Sequence, residues 1–160
     1  MTTPFEYAED LQRATAEALG FAESCSPEEW ATVVPGDDWP VCVVVHHLAL
    51  GCNLVTGWID CALEGRPIAD TGEGIDEENH RHAEEFREVS VAETVELLRA
   101  NGAAAVAKLG HLAESDLTKS AEFGPAGGEP FSVEQFCTAA TGHIRSHIGR
   151  ARDTLGRDDD

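Results

Sequence analysis

Two histidines near the end of the sequence have the spacing of ligands that share one metal ion. His143 and His147 lie four residues apart in the segment TGHIRSHIGRAR, which the pattern of apolar residues predicts to be helical. Four residues advance an α-helix by about 400°, so the two imidazoles lie on nearly one face, one turn apart. Two histidines at a helix edge that bond only to their neighbours have the same spacing, so a metal site requires a third ligand from elsewhere.

A third imidazole is available in the most apolar stretch of the chain, residues 40–64. His46 and His47 lie in its middle, and burying an imidazole without a partner is costly, so at least one of them should have something to bind. Helical periodicity makes the faces that carry His46 and His47 look equally buried and does not choose between them. Cys42, one turn before His46, is a candidate extra ligand, although a single buried cysteine more often serves as packing.

Other polar residues are weaker candidates. Arg145 lies between the two histidines of the last segment and is placed to meet an anionic substrate or a thiol cofactor, with solvation at the surface as the preferred alternative. His80 and His82 are two residues apart, so on a helix they point to different sides, and we expect them on a solvated face. The sequence contains no G-x-S-x-G segment, no Walker loop and no G-x-G-x-x-G segment.

The elements that must position these residues are predicted to be helices, because apolar residues recur at helical spacing. Serine followed three residues later by Glu or Gln marks three helix starts: Ser26 with Glu29, Ser90 with Glu93, and Ser132 with Gln135. The predicted helical units are 5–24, a short turn after Ser26, 40–64, 76–112 and 132–155, with loops at 68–74 and 118–130. The unit at 76–112 is either one bent helix or two abutting helices.

Four long helical units without an alternating strand pattern predict an all-α four-helix bundle with a short extra helical turn. We expect a single domain over residues 1–156 and an acidic solvated tail over 157–160. Bundles commonly build metal sites in their cores from side chains on facing helices. The predicted fold is therefore one in which histidines from two helices can meet.

The charge of the chain limits its partners. With 30 acidic and 11 basic residues, the net charge is −19, which repels phosphate backbones and anionic lipid. We therefore expect no nucleic-acid or membrane partner, and we find no apolar run of the ~20 residues that a membrane span needs. The simplest expectation is a cytoplasmic protein that acts on a small molecule. The apolar segment 40–64 would suit a homodimer interface as well as a core.

Three segments resemble the DinB-like family. DDWPVCVVVHHLALG (37–51) is similar to the family signature in which a Trp opens the second helix and a His-Leu pair follows eight residues later, here Trp39 and His47-Leu48. SVEQFCTAATGHIRSHIGRAR (132–152) resembles the family's last helix, which carries two ligands four residues apart. Residues 74–102 are similar to actinobacterial members grouped with mycothiol-dependent maleylpyruvate isomerases.

The resemblance implies a four-helix bundle that holds a divalent metal, zinc or nickel, through His47, His143 and His147. It leaves His46 near the metal ligands or in the core. Three imidazoles would leave a zinc-type ion an open position, the pattern of catalytic sites. Three neutral ligands would also preserve the charge of the ion, which then lowers the pKa of bound water or thiol.

The resemblance implies a metal-dependent enzyme that transfers a low-molecular-weight thiol of the mycothiol type to or from an electrophilic small molecule. Thiolate is the reactive form of a thiol, and a coordinating metal deprotonates it. Metal-dependent hydrolysis would use the same three ligands. A non-catalytic, stress-associated metal-binding bundle and a metal-free bundle with structural histidines are the remaining hypotheses.

Overall fold

The computed structural model describes residues 2–157, which contain six α-helices. They are α1 (Pro4–Ser24), α2 (Pro27–Trp30), α3 (Val41–Glu64), α4 (Gly72–Glu85), α5 (Val91–Gly110) and α6 (Val133–Thr154). The first, third, fifth and sixth form the predicted four-helix bundle, and α2 is the predicted short turn. Residues 158–160 of the predicted acidic tail lie outside the described residues, as does Met1.

The predicted capping residues begin their helices as expected. The side-chain oxygens of Ser26, Ser90 and Ser132 accept hydrogen bonds from the backbone N–H three residues later. In each case the Glu or Gln at that position accepts the serine N–H in return, so two backbone donors are satisfied at each start. At the other end of α3, Gly65 adopts a left-handed conformation with φ of 67°, which favours glycine and ends the helix.

In the bundle, α1 and α3 occupy opposite corners, as do α5 and α6. α1 packs against α5 and α6, and α3 packs against the same two helices. α1 and α5 approach closely at Gly102, where an added Cβ would lie 2.5 Å from Cγ2 of Thr15. The contact between α3 and α6 is the one that matters for the candidate ligands, because these two helices carry all three of the predicted histidines.

The centre of the bundle is apolar and receives side chains from all four long helices. Fully buried residues include Leu11 of α1, Val44 and Leu48 of α3, Leu98 of α5, and Phe136 of α6. This burial of large aliphatic and aromatic side chains supplies the main driving force for folding. The histidines lie at the edge of this core.

Two short antiparallel hairpins were not predicted. β1 (Val33–Val34) pairs with β2 (Trp39–Pro40), and β3 (Ser120–Phe123) pairs with β4 (Glu129–Ser132). The second hairpin spans residues 120–132 and takes up most of the segment 118–130, so the prediction of a plain loop there was wrong. The first hairpin leads directly into α3. Residues 35–38 form the loop between its two strands, and Asp37 of this loop contacts His147.

The predicted unit 76–112 is two separate helices. α4 begins at Gly72, inside the predicted loop 68–74, and the side chain of Thr71 caps it by accepting the N–H of Gly74. It ends at Glu85, and a turn leads to Ser90 and α5. The break leaves α4 as a short helix beside α3, outside the four-helix bundle.

Of the described helices, α3 alone has the length and apolar composition of a membrane span, with a mean hydropathy of 1.5 over its most apolar window. The expectation that no stretch reaches that length was therefore wrong. Within the bundle, 56% of this window is buried. That burial is typical of the core helix of a globular protein.

Candidate metal centre

The structure brings His47 of α3 together with His143 and His147 of α6. One ring nitrogen from each lies within 4.8 Å of the other two. The Nε2 atoms of His47 and His143 are 3.0 Å apart. A divalent ion such as zinc takes imidazole nitrogens at about 2.0–2.1 Å, so three nitrogens this close suit a shared ion. The donor set, three imidazoles and no protein thiolate, is typical of zinc, nickel and related first-row ions.

His147 is oriented by a residue from the first hairpin loop. Its Nδ1 atom lies 3.1 Å from Oδ2 of Asp37, and the other carboxylate oxygen lies 2.9 Å from Nη2 of Arg150. The same guanidinium nitrogen is also 2.8 Å from Nδ1 of His147. An ionised carboxylate only accepts, so we assign the proton to Nδ1, which donates to Asp37; the guanidinium of Arg150, which only donates, then bonds to the carboxylate and not to Nδ1. This tautomer leaves the lone pair of Nε2 free for a metal.

The three imidazoles are neutral at pH 7. Burial, together with the neighbouring histidines, lowers the pKa of His47 to about 3 and that of His143 to about 4. Burial also lowers the pKa of His147, and the Asp37 carboxylate opposes that shift. A metal binds the neutral form of imidazole, so these histidines would not have to lose protons to bind one.

Gly51 makes room for the ring of His143. A Cβ atom at position 51 would lie 3.2 Å from Cε1 and 3.3 Å from Nδ1 of that ring, closer than ordinary van der Waals contact. Gly51 lies one turn after His47 on α3. The missing side chain therefore lets the imidazole from α6 lie against the backbone of α3, near the ring with which it would share an ion.

A cleft of about 530 Å³ opens beside His47. α3 and the α4 segment form its walls, and it has an apolar portion made by Leu50, Leu54 and Phe86. The polar residues on its walls are Asn53, Glu78, Asn79, Arg81, His82 and Glu85. Arg81 pairs with Glu78. A small molecule in this cleft would lie next to one of the three candidate ligands.

His46 does not join the three histidines but pairs with His82. His46 Nδ1 lies 2.7 Å from His82 Nε2, and both side chains are buried. The expectation that His82 lies on a solvated face was wrong: it is 7% exposed, whereas His80 is exposed as expected. The acidic character of α4 hid this, because most of its other residues do face solvent. His46 therefore contacts His82 and is not one of the three converging imidazoles.

Cys42 and Arg145 are engaged elsewhere. The Cys42 thiol donates to the carbonyl oxygen of Arg87 at 3.2 Å, and burial raises its pKa, which disfavours the thiolate that metals bind. Arg145 forms two hydrogen bonds, of 2.7 and 3.1 Å, with Asp10 of α1. Neither residue lines the cleft beside His47. These contacts do not support the predicted roles as extra ligand or substrate contact.

The chain matches a family model and is similar to a solved structure. The model of the DinB superfamily matches residues 10–151. The structure of YfiT from Bacillus subtilis, described as a probable metal-dependent hydrolase with an unusual four-helix bundle topology, is similar with a TM-score of 0.76 at 19% identity. The similarity covers 97% of this chain and 89% of that one. No curated protein matches the chain.

Proposed function

The chain belongs to the DinB superfamily, and we propose that it is a metal-dependent enzyme whose divalent ion, zinc or nickel, is held by His47, His143 and His147. The convergence of three neutral imidazole nitrogens within 4.8 Å is the observation that carries the proposal. The pairing of Asp37 with His147 supports it, because a carboxylate behind a histidine is a frequent companion of metal ligation.

The three histidines and Asp37 would have different roles around the ion. His47 and His143 would supply two nitrogens from facing helices, and Asp37 would hold the third ring in the tautomer that binds. A bound divalent ion with neutral ligands lowers the pKa of a water or thiol that reaches its open position. The cleft beside His47 would position the molecule that reacts, with Leu50, Leu54 and Phe86 excluding water from its apolar part.

Within this class, we favour transfer of a low-molecular-weight thiol to or from an electrophilic small molecule. Among residues 2–157, no carboxylate or cysteine joins the three nitrogens at the same spacing. Coordination to the ion would deprotonate a thiol without help from a protein base. The similarity of residues 74–102 to mycothiol-dependent isomerases supports the same choice.

Hydrolysis of a small molecule is the second candidate. The similar fold of YfiT, described as a probable metal-dependent hydrolase, favours it. It would use the same three histidines, and water would replace the thiol as the nucleophile.

Metal content per chain tests the proposal. We expect near-stoichiometric metal in the wild-type protein and its loss in the His143→Ala/His147→Ala double variant. The matched control is His80→Ala/His111→Ala, which removes two exposed histidines and should leave the metal content unchanged. A wild-type protein that contains no metal and takes up neither zinc nor nickel would overturn the site.

The reaction class follows from assays of the metal-loaded protein. Thiol-dependent consumption of an electrophile, absent from the double variant, would support transfer. Hydrolysis without a thiol would support the second candidate. Bound metal without turnover on panels of thiols, electrophiles, esters and amides would instead indicate a non-catalytic metal-binding bundle.

A further inference from the structure

The wall of the cleft contains a buried imidazole with an unused hydrogen-bonding atom. His82 lines the cleft beside His47, and the centroids of the two rings are 5.9 Å apart. His46 engages Nε2 of His82, but the Nδ1 atom of His82 is buried with no partner among the described residues. Buried polar atoms are nearly always paired, so an unpaired one beside a candidate reaction centre requires an explanation.

The His46 contact holds His82 in place. The two rings stack with centroids 5.0 Å apart, and Phe86 packs on both, at 4.0 Å from His46 and 5.0 Å from His82. One of the two bonded nitrogens must donate and the other accept. Nδ1 of neutral His82 is consequently an acceptor if Nε2 donates, and a donor if Nε2 accepts. A hydroxyl group, which can donate and accept, would pair with it in either tautomer.

We propose that Nδ1 of His82 anchors the substrate by a hydrogen bond to a hydroxyl or amide group at a distance from the reacting atom. This inference rests on the metal centre proposed above and adds the substrate class. Because Nδ1 is buried, the polar group of the ligand can reach it only if α4 shifts slightly and uncovers this atom. His82 is thus a substrate-binding residue that neither helical spacing nor the family match indicates.

The rest of the cleft restricts the substrate further. Leu50 and Leu54 are 40% and 43% exposed on its wall, so an apolar body gains by covering them. The charge of Arg81 is matched by Glu78, which leaves the carboxylate of Glu85 as the excess charge among these residues. An uncharged or cationic molecule with an apolar body and a hydroxyl or amide group fits these walls, and an anionic one does not.

Two amide variants test the roles of the two ring nitrogens of His82 separately. The side chain of Asn places its polar group near the position of Nδ1, and that of Gln places it near Nε2. The variant His82→Asn therefore keeps a group for the ligand and loses the His46 contact, whereas His82→Gln keeps the His46 contact and loses the ligand's partner. A purely structural His82 would tolerate Gln better than Asn, which is the opposite of what the proposal requires.

The probe is the cobalt(II)-loaded protein with simple thiols. Cobalt uptake is measured first from its visible absorption, without a thiol. Three hydroxy thiols are then compared with alkyl thiols of equal length: 2-mercaptoethanol with 1-propanethiol, 3-mercapto-1-propanol with 1-butanethiol, and 4-mercapto-1-butanol with 1-pentanethiol. Sulfur-to-cobalt charge-transfer absorption reports the affinity of each. The exposed neighbour His80 provides the control variant His80→Gln.

We expect at least one hydroxy thiol to bind the wild-type protein about 3- to 10-fold more tightly than its alkyl counterpart, the effect of one hydrogen bond. His82→Asn and His80→Gln should keep this preference, and His82→Gln should lose it with cobalt absorption unchanged. Any other pattern, including no preference in the wild type, overturns the anchor. Failure of the wild type to bind cobalt would instead overturn the metal centre, and this inference with it.

Discussion

Asp37 fixes the orientation of one candidate ligand, and it does so from a distant part of the chain. Its carboxylate lies 110 residues from His147 in sequence, in the loop of the first hairpin, and its side chain is only 10% exposed. Arg150 holds the second carboxylate oxygen, so the group is pinned from both sides. A residue held in this way reduces the freedom of the imidazole before any metal arrives.

Replacing this carboxylate should weaken metal binding without unfolding the protein. In Asp37→Asn the uncharged amide is a weaker acceptor for the Nδ1 proton, and we expect metal affinity to fall roughly 10-fold. Competition with a chelator measures the affinity. The adjacent Asp38→Asn is the control, because Asp38 is exposed and its positive φ of 57° suits Asn. Equal affinities of the two variants would contradict the assigned role of Asp37.

A methyl group at position 51 should disturb the site while leaving the helix intact. Gly51→Ala places Cβ 3.2 Å from the His143 ring, which must then shift by a few tenths of an ångström. We expect metal affinity to fall roughly 10-fold, because ligands must be held within about 0.5 Å of the productive geometry. Gly57→Ala on the same helix, with nothing within 4 Å, is the control and should leave affinity unchanged. Unchanged affinity in Gly51→Ala would show that the ring is not confined there.

At the scale of elements, Gly102 sets how closely α1 and α5 pack. An added Cβ would overlap Thr15, since 2.5 Å is far inside van der Waals contact. The two helices must therefore separate or the threonine must move, and both disturb a well-packed interface. This contact joins α1 and α5, whereas the candidate ligands lie on α3 and α6, so it concerns stability and not the ligands directly.

Gly102→Ala should destabilise the protein even though Ala is the better helix former. Overpacking costs about 1–3 kcal/mol, against a gain of up to about 1 kcal/mol from helix propensity. We expect a net loss of about 1–2 kcal/mol in the free energy of unfolding, measured by denaturant titration. Gly20→Ala in α1, with open space around it, should instead be neutral or stabilising. A stabilised Gly102→Ala would contradict the packing described here.

The helices were predictable from sequence because their signals are local. Apolar spacing and the serine caps of α2, α5 and α6 lie within a few residues of the features they specify. The hairpins were not predictable from the sequence, because a strand of two to four residues is too short to show an alternation of apolar and polar residues. β4 even contains Pro130, which normally argues against a strand.

The candidate site was predictable only in part, for the same reason. The spacing of His143 and His147 is a local signal, and the family motif singled out His47. Asp37 carries no such signal, since an aspartate after Pro-Gly is most simply a turn residue. The burial of His82 depends on how α4 docks beside α3, which the acidic sequence of α4 does not reveal.

At the scale of the whole molecule, the buried histidines make stability depend on pH. Burial lowers the pKa values of His47 to about 3 and of His82 and His143 to about 4. In the unfolded chain these histidines have ordinary pKa values near 6.5, so below that pH they bind protons that they do not bind in the folded chain. Their contribution to stability is therefore complete above pH 6.5 and is lost as the pH falls from there toward 4.

The metal-free protein should accordingly lose stability well before its carboxylates titrate. We expect the free energy of unfolding to fall by at least about 2 kcal/mol between pH 6.5 and 4.5. Denaturant titrations across this range measure it. His47→Gln/His143→Gln should show a smaller loss, since Gln does not take up a proton. A stability that stays flat down to pH 4.5 in the wild type would contradict the burial of neutral imidazoles.

The separation of the site's parts along the chain also determines when it can exist. His47 and His143 are 96 residues apart, and Asp37 lies before both. During synthesis from the amino end, the ribosome releases the first hairpin and α3 long before α6 emerges. A nascent chain at that stage contains only one of the three candidate ligands, His47. Loading of the ion would therefore follow completion of the bundle, so a truncated or stalled chain would carry no metal.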